Sequence, residues 1–198
     1  MKHEDLPKIS KSELLYYVPS IVYTKDGCVI RGDAISSLYN EWDAAKVLNL
    51  NEIQAKYRLY TILIGSMLPK ELVCEYMFRC AVWALSSVDN PDSRCIETLR
   101  IGRLVACKKT TLAGLFMAAE MADNAEKDEV AADDLRFART VAMMFRSTAP
   151  IYAWGVINES MGFKTQRIVR PVSIADEEES AYEQELKILS DLIDEWEE

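Results

Sequence analysis

The side chains that most often carry chemistry are thinly supplied in this sequence. It has one histidine, His3, and five cysteines, Cys28, Cys74, Cys80, Cys95 and Cys107. One imidazole beside a chain end cannot build a His-based triad, a zinc hydrolase centre or a histidine-ligated iron site. No CxxC occurs, and Cys74 and Cys80 are too far apart for one tight metal-binding turn. The cysteines therefore read as reduced thiols that pack as small apolar residues. No GxSxG, Walker loop or GxGxxG is present. Asp133 and Asp134 fall at a helix start, where the dipole explains acids. Glu120 and Glu159 could meet across helices, but neither belongs to the ExxH of a di-iron bundle. The expectation is a non-enzymatic protein with no catalytic residue, no metal and no cofactor.

Charge says more. From Asp176 to Glu198 eleven acids face one base, Lys187, so this segment carries −10 of a net −9 and the rest of the chain is close to neutral. Within it Tyr182, Leu186, Leu189, Ile193 and Trp196 step by four and three, the spacing of one helix face, and Leu192 widens the stripe. An acidic amphipathic helix results, and these five residues are the candidate partner-binding set. Arg136, Arg139 and Arg146 share another helix face with Met143 between them. They form a candidate anion or tail-docking stripe, and Lys164, Arg167 and Arg170 would extend it.

The elements that must position these residues are mostly helices. Ser12 to Val18 reads as a short turn or helix stopped at Pro19. The runs Ile21–Thr24 and Cys28–Arg31 flank Asp26-Gly27, a hairpin turn signal and the one convincing strand pair. Asp33 suits the N-cap of a helix over 34–48. Asn51 and Glu52 open another, running to Gly65. Pro69 belongs to the first turn of a third, which ends near Ser87. Further helices are expected over 94–107, over 112–124, and from 135 onward, buried through Leu135, Ala138, Ala142, Phe145 and Ala149. The last is kinked or divided at Pro150 and capped by Gly162. The expected fold is mainly α, an antiparallel helical bundle of six or seven helices with a small N-terminal β-hairpin and the acidic C-terminal helix. Its expected division is a helical domain over 1–162, a basic linker or strap over 163–175, and the acidic helix over 176–198.

The stretch Asp92-Ser-Arg94-Cys-Ile96-Glu97-Thr-Leu-Arg100 lies between Cys80-Ala-Val-Trp-Ala and the alanine-rich runs Ala118-Ala-Glu-Met-Ala and Phe137-Ala-Arg-Thr-Val-Ala. This order resembles an all-helical family of bacterial and phage proteins described as immunity proteins, over about 42–160. The histidines often found in that family's last helix are missing here, and the hairpin and acidic helix are additions. The resemblance implies a helical bundle from a phage or mobile-element setting, with no established chemistry. Physically, Arg94, Glu97 and Arg100 rotate by roughly 60° per step. Glu97 can thus reach either arginine, a structural charge ladder expected to fix neighbouring helices.

Three functional readings follow. The first is a protein-binding module, an inhibitor or immunity-like factor that forms a stoichiometric complex with a protein partner through the acidic helix. The second is a nucleic-acid mimic built on the acidic tail, or a nucleic-acid binder using the arginine stripe. A neutral body without a reading motif argues against direct nucleic-acid binding. The third is self-assembly into a homo-oligomer through the tail. The longest mainly apolar run, Tyr60 to Leu68, is too short to cross a bilayer, so no membrane role is expected. A cytoplasmic setting is expected, the host cytoplasm if the chain is phage-encoded.

Overall fold

The computed structural model describes residues 6–87, 93–107, 109, 111, 113–114, 117, 137–138, 140–141, 144, 150–165 and 174–197. The fold is mainly α. The chain groups into two compact units, Met1–Pro69 with Val172–Glu198, and Lys70–Pro171. The C-terminal helix belongs with the N-terminal third of the chain, and the second unit is inserted between them.

The first unit is built from short pieces. Strand β1 (Ile9–Ser10) leads into helix α1 (Lys11–Tyr17). Ser10 caps that helix reciprocally: its Oγ accepts from Glu13 N–H, and Glu13 Oε2 accepts from Ser10 N–H at 2.8 Å. The helix ends at Val18, which is extended because Pro19 follows. Strands β2 (Ile21–Tyr23) and β3 (Val29–Arg31) form the expected hairpin, with Val22 opposite Ile30. Gly27 takes φ +83°, and Thr24 N–H donates to Cys28 O at 2.9 Å.

The single helix expected over 34–48 does not form. Helix α2 (Gly32–Ser36) stops early, strand β4 (Glu41–Trp42) pairs with β1, and helix α3 (Ala44–Leu48) restarts the helical course. Trp42 is the reason. Its side chain is fully buried, and its indole N–H donates to Ser36 O at 3.2 Å. Burying that surface outweighs a few helical hydrogen bonds. Asp43 then caps α3 through Lys46 N–H at 2.9 Å. Helix α4 (Ala55–Ile64) also starts later than expected. Residues before it pair with the hairpin instead: Ile53 bridges Thr24, and Gln54 N–H donates to Tyr23 O. The long helix α8 (Ile174–Glu197), numbered after three helices of the inserted unit, packs against α4 and completes this unit.

The inserted unit has three long helices among its described residues. Helix α5 (Lys70–Leu85) follows Pro69 as expected and packs against α6 (Ser93–Ala106) and α7 (Pro150–Thr165). Leu72, Tyr76, Met77, Cys80 and Ala84 are its buried ridge. Helix α7 begins at Pro150, a good first-turn residue. It runs past the expected cap at Gly162 because Phe163 stacks on Phe137, ring centroids 4.2 Å apart, and so holds the last turn in place. Residues 163–165 therefore belong to α7 and residues 174–175 to α8, narrowing the expected linker from both sides. Among the described residues, no helix is long and apolar enough to cross a membrane.

Candidate functional site

The acidic helix is where sequence placed the partner-binding residues, and four of those five are spent inside their own unit. Tyr182, Leu186, Leu189 and Ile193 are buried, as is Leu192, while Trp196 is half-buried. Each such side chain taken from water contributes about 1.5–3 kcal/mol. The stripe thus docks α8 onto its own chain, and it is not open to a partner while the helix is seated.

The acids of α8 are also partly committed. Glu179 Oε1 accepts from Ala55 N–H at 2.8 Å. Helix α4 has no capping side chain of its own, since Gln54 makes no such bond, so a carboxylate from α8 caps it instead. One turn on, Glu183 Oε1 accepts from Arg58 Nη2 at 2.9 Å and lies 2.5 Å from Lys25 Nζ. Arg58 is buried, and its Nη1 donates to Leu48 O at 3.0 Å. One guanidinium thus ties α3, α4 and α8 together, and Lys25 adds the hairpin turn.

Burial acts on the protonation of this interface. Desolvation lowers the Arg58 pKa, and Glu183 opposes that. Burial raises Glu179, against the hydrogen bond from Ala55 that favours its charged form. Glu185 is fully buried, and desolvation holds its carboxyl well above the ordinary carboxylate range. Burial also raises the Tyr182 phenol. Glu185 therefore sits in the folded chain as a neutral acid over a range where it would ionise in water.

The other candidates are placed as follows. Arg136, Arg139 and Arg146 lie outside the described residues, as do Lys164 as a side chain, Arg167 and Arg170. In α6, Glu97 chooses Arg100, whose Nε and Nη2 donate to the two carboxylate oxygens at 2.7 and 2.6 Å. This is a fork between two exposed side chains of one helix. Arg94 is half-buried. Arg103, one step further along, also braces α6 against α5: it pairs with Glu75 of α5 and lies 5.0 Å over the Phe78 ring. All five cysteines are thiols. Cys74, Cys80 and Cys95 are buried as expected, but Cys107 is half-exposed and Cys28 exposed, which corrects the uniform packing role.

Sequence reasoning missed the outer face of the hairpin. Register places Ile21, Tyr23, Val29 and Arg31 on one side and Val22 and Ile30 on the other. Val22 is buried at 1%, whereas Ile21, Tyr23 and Val29 are 53%, 43% and 58% exposed. A sheet face turned to solvent is ordinarily polar, and this one is not. Tyr23 is held by stacking on Tyr57, centroids 6.3 Å apart. Leu15 and Tyr16 at the end of α1 are exposed too, Tyr16 at 86%. The signal was present in Ile21-Val-Tyr23, where apolar residues occupy both faces of one short strand. Beneath the hairpin, Leu14, Val18, Val22, Trp42 and Arg58 line a crevice of about 10 Å³, the room of one water.

Comparison with protein-family models, with curated proteins and with solved structures returns no match to this chain.

Proposed function

We propose that this chain is a protein-binding module, an inhibitor or immunity-like factor that acts by covering a partner's surface in a stoichiometric complex and performs no chemistry itself. The observation that supports the reading is the exposed row Ile21, Tyr23 and Val29, an apolar sheet face on a rigidly seated hairpin. Such patches mark association surfaces, and tyrosines serve as their anchors. The contact surface therefore shifts from the acidic helix to the hairpin. In this reading α8 is the support that holds the hairpin turn through Lys25 and Glu183. The alternative of a nucleic-acid mimic has less to draw on, because Glu179 and Glu183 are engaged within the chain and Glu185 is buried. The resemblance of the Arg94–Arg100 region to immunity proteins points the same way as the exposed row.

The test is affinity capture from a lysate of the encoding organism with three baits: the intact chain, the double variant Ile21→Ser/Val29→Thr, and Trp196→Ala. One protein retained in equimolar amount by the intact chain and by Trp196→Ala, and lost with the hairpin variant, is the expected result. Equal capture by the hairpin variant contradicts the reading.

A further inference from the structure

Arg58 is buried within the first unit, and its guanidinium is only partly engaged. Nη1 donates to Leu48 O at 3.0 Å and Nη2 to Glu183 Oε1 at 2.9 Å. Nε is buried too, yet it has no hydrogen-bond partner among the described residues. A charged N–H is costly to leave unmet away from bulk solvent, so it calls for an acceptor. The same side chain forms part of the wall of the crevice beneath the hairpin, whose volume is about 10 Å³. Leu14, Ile35, Trp42 and Val47 supply apolar wall, and Thr61 lines the crevice as well. Thr61 is buried, and its Oγ1 donates to Tyr57 O at 2.8 Å, which leaves its lone pairs to accept. Arg58 and Thr61 are three residues apart on α4 and so share one helix face. In a crevice with the room of one water, a guest beside one of them is within reach of the other.

We propose that this crevice is a binding site for a single internal water, which accepts from Arg58 Nε–H and donates to Thr61 Oγ1. The walls select this class of ligand. An anion is disfavoured, because Glu183 already meets the guanidinium charge and Glu179 and Glu52 also act on it. A cation would face Arg58 itself. A purely apolar guest would leave Nε unmet. What remains is the smallest neutral molecule that carries both an acceptor and a donor. A water bonded in this way to otherwise unmet polar groups is a fixed part of a fold. Here it completes the shell of the residue that ties α3, α4 and α8 together. Val22 lines the same crevice, so the water also sits at the root of the hairpin. This inference stands apart from the partner-binding reading, since it concerns the inner face of the hairpin and not the outer one.

The test is a crystal structure of the intact chain, refined with no solvent placed in the crevice. The expected result is a residual density peak about 2.7–3.2 Å from both Arg58 Nε and Thr61 Oγ1. Oxygen-17 relaxation dispersion of the purified chain gives a second reading in solution. It counts long-lived internal waters, and Thr61→Val, which keeps the shape but loses the acceptor, should hold one fewer than the unaltered chain. Absence of a peak beside Nε, a protein group bonded to Nε in its place, or an equal count in the variant overturns the proposal. The unaltered chain decides the first two outcomes alone, so the test does not depend on the variant folding.

Discussion

Arg58 and Arg100 each hold a glutamate, Glu183 at 2.9 Å and Glu97 at 2.6 Å, and the two pairs do opposite work. The Arg58 side chain is 2% exposed and its partner comes from the far end of the chain, whereas Arg100 is 53% exposed and its partner is three residues away. The shorter contact is the less consequential one. Water competes for the exposed pair, and the unfolded chain can form it almost as readily. The buried pair exists only when α8 is seated, and losing one member leaves a charge stranded in a poor solvent. Distance ranks neither pair correctly, while burial and sequence separation rank both.

Removing the buried partner should have the largest effect. Glu183→Ala is expected to destabilise the chain by about 3 kcal/mol, the low end for breaking a buried pair because Glu183 itself is 35% exposed. Urea denaturation followed by circular dichroism measures it.

Acidity should expose the same interface by another route. In the unfolded chain Glu185 ionises in the ordinary carboxylate range, and in the folded chain burial keeps its proton to a higher pH. Glu179 is shifted in the same direction. The folded state thus binds more protons between those limits. Stability is greatest below the unfolded pKa and falls as pH rises towards the folded one. The loss is about 1.4 kcal/mol for each unit separating the two pKa values. Thermal melts from pH 4 to pH 8 should show this decline in the wild type and a flatter course in Glu185→Gln. Glu97 has the opposite sign, because its hydrogen bond to Arg100 lowers its pKa.

A smaller effect belongs to the borrowed helix cap. Glu179→Ala removes the acceptor for Ala55 N–H and should cost about 1 kcal/mol in the same denaturation experiment. Smallest of all, Glu97→Ala should leave the urea midpoint unchanged within error. A clear fall there would mean that the exposed pair does more than its geometry implies.

Much of the local grammar was legible. Pro69 announced α5, Asp26-Gly27 announced the hairpin, and the four-three spacing from Tyr182 to Trp196 announced α8. Errors arose where a distant partner outbid local preference. Trp42 broke the helix expected over 34–48 because its burial is worth more than the helical bonds it forfeits. Ile53 delayed α4 by joining the hairpin, which lies some thirty residues earlier in the sequence. The apolar stripe of α8 was read correctly, but its cover was not, because α4 lies more than a hundred residues away and no spacing rule links them. The exposed hairpin row was missed for the converse reason. Alternation shows that a strand has two faces, and only the packed structure shows which face is left open.

Hydrogen–deuterium exchange on the intact chain tests most directly whether α8 is a structural part of its own unit. Amides over 182–193 should be protected as strongly as those over 59–63 in α4, and Glu183→Ala should lower the protection of both segments together. Rapid exchange over 182–193 beside a protected α4 would contradict this account. It would return the acidic helix, with its stripe uncovered, to the role of partner-binding element.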